Sequence, residues 1–373
     1  MHKIYKFDDI VVNSTTKKKP EEIDRLHYIG LEHIDSGTFE ISRWGSDIAP
    51  IGDKLVMKKG DVLFGKRRAY QRKVAVAPFD GIFSAHGMVL RPKEDVICKE
   101  YFPFFISSNQ FMDTAVRISV GGLSPTVNWK DLQKQEFELP TISQQRVLAD
   151  KLWAAYNLKE AYKKMNSAID EMVKSQFIEM SGDWERHKLD SFIDIVRGVS
   201  YKPTDVVDSN NPCATGILRA NNISDGELNT VEMVYVNNER VSEIQKLRPK
   251  DIVMCASSGS QYLVGKAAIN KHLHSNYAHG AFCLLIRCKE LLMPEFLNLY
   301  LQTDDYRGQI EEKSCGSNIL NIKQSDITSL IIPIPNFAVQ QNFVTILKQA
   351  DKSKFELKQA IDKIEKVMKS LLQ

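Results

Sequence analysis

Between Lys54 and Lys73 the chain gathers Lys54, Lys58, Lys59, Lys66, Arg67, Arg68, Arg72 and Lys73 against one carboxylate, Asp61. Such a local excess can meet a phosphate backbone while the rest of the protein stays balanced; a solvated loop or strand edge explains it equally well. The formal charge is only +3 over 373 residues, so distribution says more than the total. Other reactive side chains do not assemble into a working pattern. The six cysteines (Cys98, Cys213, Cys255, Cys283, Cys288, Cys315) lack any Cys-x-x-Cys spacing and five lie in the second half, which fits reduced, packed thiols. His272, His274 and His279 come close to Cys283 and Cys288 without zinc-type spacing, so no metal is expected. Ser124, Ser257 and Ser258 sit outside any Gly-x-Ser-x-Gly elbow. Glu311-Glu312-Lys313, with Glu295 upstream, has a nuclease-like Glu-x-Lys spacing, but so short a match arises by chance and the first half has no counterpart. A stand-alone nuclease, cutting with Mg²⁺, is therefore not expected. There is no phosphate loop, no Gly-x-Gly-x-x-Gly after a strand, and no Asn-Pro-Pro-Tyr-like motif of an adenine amino-methyltransferase.

The layout, by contrast, occurs twice. His2-Lys3-Ile4 with Phe7-Asp8-Asp9-Ile10-Val11 returns as His187-Lys188-Leu189 with Phe192-Ile193-Asp194-Ile195-Val196. Ile34-Asp35-Ser36-Gly37 is echoed by Ile223-Ser224-Asp225-Gly226, and Gly60-Asp61-Val62-Leu63 by Lys250-Asp251-Ile252-Val253. Asp131-Leu132, Leu139-Pro140 and Gln145 return as Asp326-Ile327, Ile334-Pro335 and Gln340. A duplicated chain without a duplicated catalytic constellation reads as a binding device, and two similar surfaces suit a long, nearly symmetric target such as duplex DNA.

Residues from the start to about Pro140 read as short strands punctuated by Gly, Pro and Asp, among them Tyr28–Leu31, Asp61–Phe64, Val74–Ala77 and Gly87–Leu90. An aromatic-rich stretch near Tyr101–Phe105, and its counterpart Pro294–Leu301, reads as a helix packed on the sheet. After Pro140 the period changes to three and four. Leu148, Leu152, Ala155, Leu158, Tyr162, Met165, Ile169 and Met172 form one stripe, with Thr141 and Gln144 as a capping-box candidate. In the second copy Ala350, Ser353, Leu357, Ala360, Ile364, Val367 and Leu371 form a regular seam. Each helix would run about 35 residues, or roughly 50 Å. A seam needs a partner, and the simplest is the other copy's helix, paired antiparallel. The expected division is 1–140 and 181–335 as globular units, with long helices over 141–180 and 336–373. The amino terminus lacks an apolar signal core and no stretch is long enough to span a bilayer, so a cytoplasmic protein away from membranes is expected.

Taken together, this architecture resembles the specificity subunit of type I restriction–modification systems along essentially the whole chain. The residues that carry the resemblance are Tyr28–Ile34 and Lys59–Lys66, with the junctions Leu139-Pro140-Thr141-Ile142-Ser143-Gln144-Gln145-Arg146 and Ile334-Pro335-Asn336-Phe337-Ala338-Val339-Gln340-Gln341. The family commonly shows Glu-Gln at these helix starts. Here the Gln stands as Gln145 and Gln340, while the Glu is replaced by Gln144 and Val339. The resemblance implies an α+β fold with two globular α/β target recognition domains, joined by two long helices in an antiparallel coiled coil with pseudo-two-fold internal repeat. It implies that each domain reads half of a bipartite, asymmetric site on double-stranded DNA, with the helices fixing the spacer. Two methyltransferase (modification) subunits and restriction subunits would be partners, carrying S-adenosylmethionine, ATP and Mg²⁺; this chain would bind no cofactor and catalyse nothing by itself.

On that reading, the first domain's candidates are Lys66, Arg67, Arg68, Tyr70, Gln71 and Arg72, which combine guanidiniums suited to guanine or phosphate with an amide suited to adenine. The corresponding stretch in the second domain supplies Ser257, Ser258, Ser260, Gln261 and Tyr262. Turn residues Ser119, Gly122 and Ser124 are matched by Ser317 and Asn318, and Arg219, Asn221 and Asn222 are further candidates. Different chemistry at matched places predicts unlike half-sites. Leu158, Tyr162, Met165, Ile169 and Met172, with Leu357, Ala360, Ile364, Val367 and Leu371, are the expected helix-seam and partner positions. A competing reading is a helical scaffold that recruits partners without reading DNA; salt-dependent binding to random duplex would argue against it.

Overall fold

The structure, a computed structural model, describes residues 3–48, 50–224, 226–260, 262–314 and 320–373. The chain divides into two compact units, one made of Met1–Lys164 with Leu357–Gln373 and the other of Met165–Glu356. Among the described residues no helix is long and apolar enough to cross a membrane.

Both units are built on the same antiparallel ladder. In the first, β1 (Val11–Ser14), β2 (Val62–Phe64), β3 (Val74–Val76) and β4 (Met88–Pro92) lie in the order β1-β4-β2-β3. In the second, β5 (Ile193–Arg197), β6 (Ile252–Cys255), β7 (Ala267–Ile269) and β8 (Cys283–Cys288) lie in the order β5-β8-β6-β7, and two short strands extend the sheet past β7. The inner strands are continuous apolar runs because both faces are covered. Val62, Phe64, Met88 and Leu90 face a core with Phe102, Phe105 and Phe111, whereas Leu63, Ala75 and Val89 face another with Ile29, Leu55 and Phe83. The second unit repeats the alternation: Ile252, Met254 and Ile286 meet Phe296 and Tyr300, while Val253, Cys255 and Leu285 meet Leu218 and Leu247. The aromatic stretches are the short helices Phe102–Ser107 and Pro294–Tyr300, buried on these sheets.

Matched residues do matched work. The Asp61 carboxylate accepts from Lys58 N at 2.7 Å and from Arg91 at 2.7 and 2.8 Å. Asp251 accepts from Arg248 N at 2.8 Å and from Arg287 at 3.0 and 3.0 Å. The turn before each aspartate needs a left-handed residue: Gly60 has φ +89°, and Lys250 adopts +69° in its place. At the sheet-to-helix junctions, Gln145 Oε1 accepts from Cys98 N while its amide donates to Val96 O and Pro140 O. Gln340 repeats this with Met293 N, Leu291 O and Pro335 O.

Two long helices follow those junctions, α1 (Ile142–Ser181) and α2 (Phe337–Leu371). Thr141 and Gln144 form the anticipated capping box, and Asn336 caps α2 by accepting from Val339 N at 3.0 Å. Within the first unit Lys159 Nζ lies 4.0 Å from Glu365, and Met368 and Leu371 pack on the core that holds Leu152 and Tyr156. Within the second unit Lys354 donates to Asp170 at 2.6 Å, and the rings of Phe177 and Phe343 are 5.4 Å apart. Within each unit numbers rise on α1 as they fall on α2, so the helix segments paired there run antiparallel.

The seam itself is offset from the expected one. Leu158, Met165, Met172 and Val367 are exposed, whereas Lys159, Val173 and Phe177 are buried and Met368 packs inward. Tyr162, Ile169, Leu357, Ala360, Ile364 and Leu371 are half-buried. Lys159 takes an inward position because its ammonium is satisfied there: Nζ donates to Gly37 O at 2.7 Å and lies 5.4 Å from the centre of the Tyr156 ring. Burial holds its pKa below the ordinary lysine value.

Candidate nucleic-acid interface

In the first unit, β2 and β3 are joined by the basic loop Lys66–Lys73, closed by Gly65 N donating to Lys73 O at 2.9 Å. Arg68 and Arg72 both adopt left-handed backbone, with φ +57° and +53°, on either side of the helical turn Ala69–Gln71. Non-glycine residues pay for that conformation, and it persists only where surroundings hold it. The support comes from the turn around Ser119–Thr126. Arg67 bridges Thr126, Arg68 N donates to Pro125 O at 2.7 Å, and Val127 N donates to Lys66 O at 2.9 Å. The Arg68 guanidinium donates to Ser124 Oγ at 3.0 and 3.2 Å, across 56 residues of sequence. Two segments singled out separately in the sequence thus form one edge.

Within that edge the candidates divide. Arg67, Tyr70 and Gly122 are exposed, and Gln71 is half-buried. Arg72 turns inward, donating to Ser107 O and Asn109 Oδ1 at 2.9 Å each, so it fixes the loop instead of facing outward as expected. Ser119 donates its hydroxyl to Ala115 O, ending the preceding helix, and Ser124 is occupied by Arg68. Lys66 is half-buried and its pKa is lowered by burial and by Lys17. The sequence reading missed Lys17 and His86, and it placed Lys54 in the basic cluster without naming it among the DNA-contact candidates. The His86 pKa is lowered by burial and by Arg67, Lys66 and Lys54, so these groups share one positive field. The run Lys17-Lys18-Lys19 was the available signal for the first of them.

In the second unit the corresponding loop carries almost no charge. Ser257 and Ser258 form a short strand paired with Leu320–Asn321, and Ser260 N donates to Ser258 Oγ at 3.2 Å. Tyr262 projects outward under Lys266, whose Nζ lies 4.7 Å from its ring centre. Gln261, Ser317 and Asn318 lie outside the described residues. Asn222 is not available to a base. It is fully buried, accepting from Arg219 N at 2.9 Å and donating to Val231 O at 2.8 Å. The first unit has the same device in Gly30 N donating to His33 Nδ1 at 2.9 Å, which marks position 222 as a turn lock. Arg219 is half-buried and donates to Glu232 O at 2.6 Å, leaving Asn221 as the exposed member of that trio.

Several of the other reactive groups are accounted for by packing or pairing. His279 is buried against Val196 O, and its pKa is lowered to about 4 by burial. Burial raises the thiols of Cys255, Cys283 and Cys288 to about 11, 12 and 12. Glu311 pairs with Arg307 and Glu295 with Lys250, at 3.0 and 2.9 Å, while Lys313 donates to Ser329 Oγ at 2.9 Å, so the members of the Glu-x-Lys match have separate partners. Among the described residues no three His, Cys, Asp or Glu side chains converge to hold a metal ion.

Comparison with known proteins bears on the family and the fold. The family described as type I restriction modification DNA specificity domain matches twice, over residues 3–170 and 181–366. The StySPI specificity subunit of Salmonella potsdam, a type I restriction enzyme component, is 34% identical over 180 residues, covering 47% of this chain and 39% of that one. The EcoKI specificity subunit of Escherichia coli K12 is 36% identical over 169 residues, covering 44% and 36%. The match thus spans well under half the length of these relatives. Among solved structures, a chain from "Structural basis underlying complex assembly and conformational transition of the type I R-M system" superposes with a TM-score of 0.60 at 15% identity, over 100% of this chain and 96% of that one. The type I S subunit from M. genitalium gives 0.51 at 12% identity, over 100% and 95%. At such identities these two speak for the fold alone. With its two copies of the domain covering nearly every residue, the chain belongs to the type I restriction–modification DNA specificity family.

Proposed function

We propose that this chain reads a two-part sequence on double-stranded DNA and supplies the address for a type I restriction–modification complex. The observation that carries the reading is the pair of corresponding edges on one repeated frame. One is built from Arg67, Tyr70 and Gln71 over a cationic base, and the other from Ser257, Ser258 and Tyr262. Phosphate contacts from the basic groups would set register, and the exposed Arg67 guanidinium and tyrosine hydroxyls, with the half-buried Gln71 amide and serine hydroxyls, would read base edges. Unlike chemistry on the two edges makes the two half-sites unlike. The antiparallel helices would set the unread spacer, and modification and restriction subunits would bring S-adenosylmethionine, ATP and Mg²⁺.

Selection of bound duplexes from a random pool tests this directly: two separated, dissimilar conserved blocks should emerge. Arg67→Ala is expected to weaken binding to the first block by about 1–3 kcal/mol and leave the second unchanged. A uniform loss over all sequences, with a shallower salt dependence, would place Arg67 on phosphate. No enrichment by the intact chain would end the reading.

The outward face of α1 fits the modification subunits. In the first unit's part of the helix Val147 and Leu158 are exposed, and at 100° per residue they fall within about 20° of one another; in the second unit's part Met165 and Met172 are exposed and do the same. Such a line of apolar side chains on a helix suits another helix, and methionines adapt to a packed partner. Leu158→Glu with Met165→Glu is expected to abolish co-purification of the modification subunit while DNA retention by the chain persists. Unimpaired co-purification would remove this face from consideration.

A further inference from the structure

Backbone hydrogen bonds align the two reading loops. Gly65 N donates to Lys73 O and Cys255 N to Lys266 O; Arg67 N donates to His86 O and Ser257 N to Phe282 O. Loop 66–73 therefore corresponds to loop 256–266, and His86 corresponds to Phe282. Each loop holds one aromatic residue, Tyr70 at 54% exposure and Tyr262 at 72%. On the neighbouring loop stands a second ring, exposed His86 in the first unit and Phe282, at 71% exposure, in the second.

A single exposed ring needs no explanation. Recurrence at matched places, beside cations, does. Lys266 lies over Tyr262, and Arg67 N donates to His86 O at 3.2 Å, where burial and the charges of Arg67, Lys66 and Lys54 oppose protonation of the imidazole. An apolar protein partner covering these rings would strip water from the ammonium and guanidinium groups without pairing them. A nucleobase offers the ring a flat face and brings its own phosphate to the cation.

We propose that Tyr262 with Phe282, and Tyr70 with His86, are stacking contacts that receive unstacked bases at the border of each half-site. The proposal rests on the DNA-reading function above and adds that reading is accompanied by local opening of the duplex. An inserted side chain that holds a step apart favours sites already weakened in stacking.

The test uses the full chain with its modification subunits and a duplex recovered from the random pool. A second duplex carries one mismatched pair at the outer border of the second block. The intact complex should bind the mismatched duplex more tightly. Tyr262→Ala with Phe282→Ala should erase that gain and weaken the matched duplex roughly ten-fold or more, with unchanged salt dependence. Phe282→Trp should restore binding and Phe282→Leu should not. Thermal unfolding of each variant should match the parent, since both rings are exposed. If the intact complex selects a sequence but the double variant binds both duplexes as the parent does, the stacking assignment falls and DNA reading stands. If the intact complex selects no sequence, both fall.

Discussion

Gln145→Ala is expected to lower the stability of the first unit by about 2–5 kcal/mol, measured as a shift in its urea midpoint. Gln145 is fully buried and its amide is shared among three backbone groups from two other segments: Cys98 N at 2.7 Å, Val96 O at 3.1 Å and Pro140 O at 2.9 Å. Truncation strands a buried donor and two carbonyls, each with a desolvation cost that the lost bond alone understates; an unmade buried donor costs about 1–3 kcal/mol. Gln145→Met separates the causes. It keeps the volume but cannot accept from Cys98 N as the amide does, so it should recover less than half of the loss. Near-complete recovery would assign the effect to packing. Gln340→Ala should act alike in the second unit through Met293 N, Leu291 O and Pro335 O.

That prediction also explains what the sequence made legible. Repeated residues with repeated partners, such as Gln145 and Gln340 or Asp61 and Asp251, stand out because each needs one residue type at one spacing from a strand end. Helix starts were legible for the same reason, although Val339 hands the cap in α2 to Asn336. The helix seam was less so. Apolar spacing of three and four leaves neighbouring registers nearly equivalent, and Lys159 counts as polar until Gly37 O and the Tyr156 ring are brought to it. The roles of Arg72 and Ser124 depend on partners 35 and 56 residues away, which no local pattern encodes. Asn222 could have been read correctly, since its counterpart His33 closes the same turn from the same position. His86 and Phe282 share no residue type, so only backbone pairing reveals their equivalence.

Asp251→Ala should destabilise the second unit by about 3–5 kcal/mol, and Asp61→Ala should cost the first unit less. Both carboxylates lock the preceding turn through one backbone N–H and hold an arginine by two bonds. The arginines differ. Arg287 is 14% exposed and Arg91 is 38% exposed. Without its carboxylate, Arg287 retains only the 2.8 Å bond to Lys246 O and stays a buried cation with little access to water. Arg91 can swing into solvent, and the pair it leaves was already partly screened. The difference should therefore shrink when Arg287 is truncated together with Asp251, because the stranded charge is then removed. Equal losses for the two aspartates, or a double variant worse than Asp251→Ala by the full cost of a second deletion, would show that the turn bond dominates and the buried arginine does not.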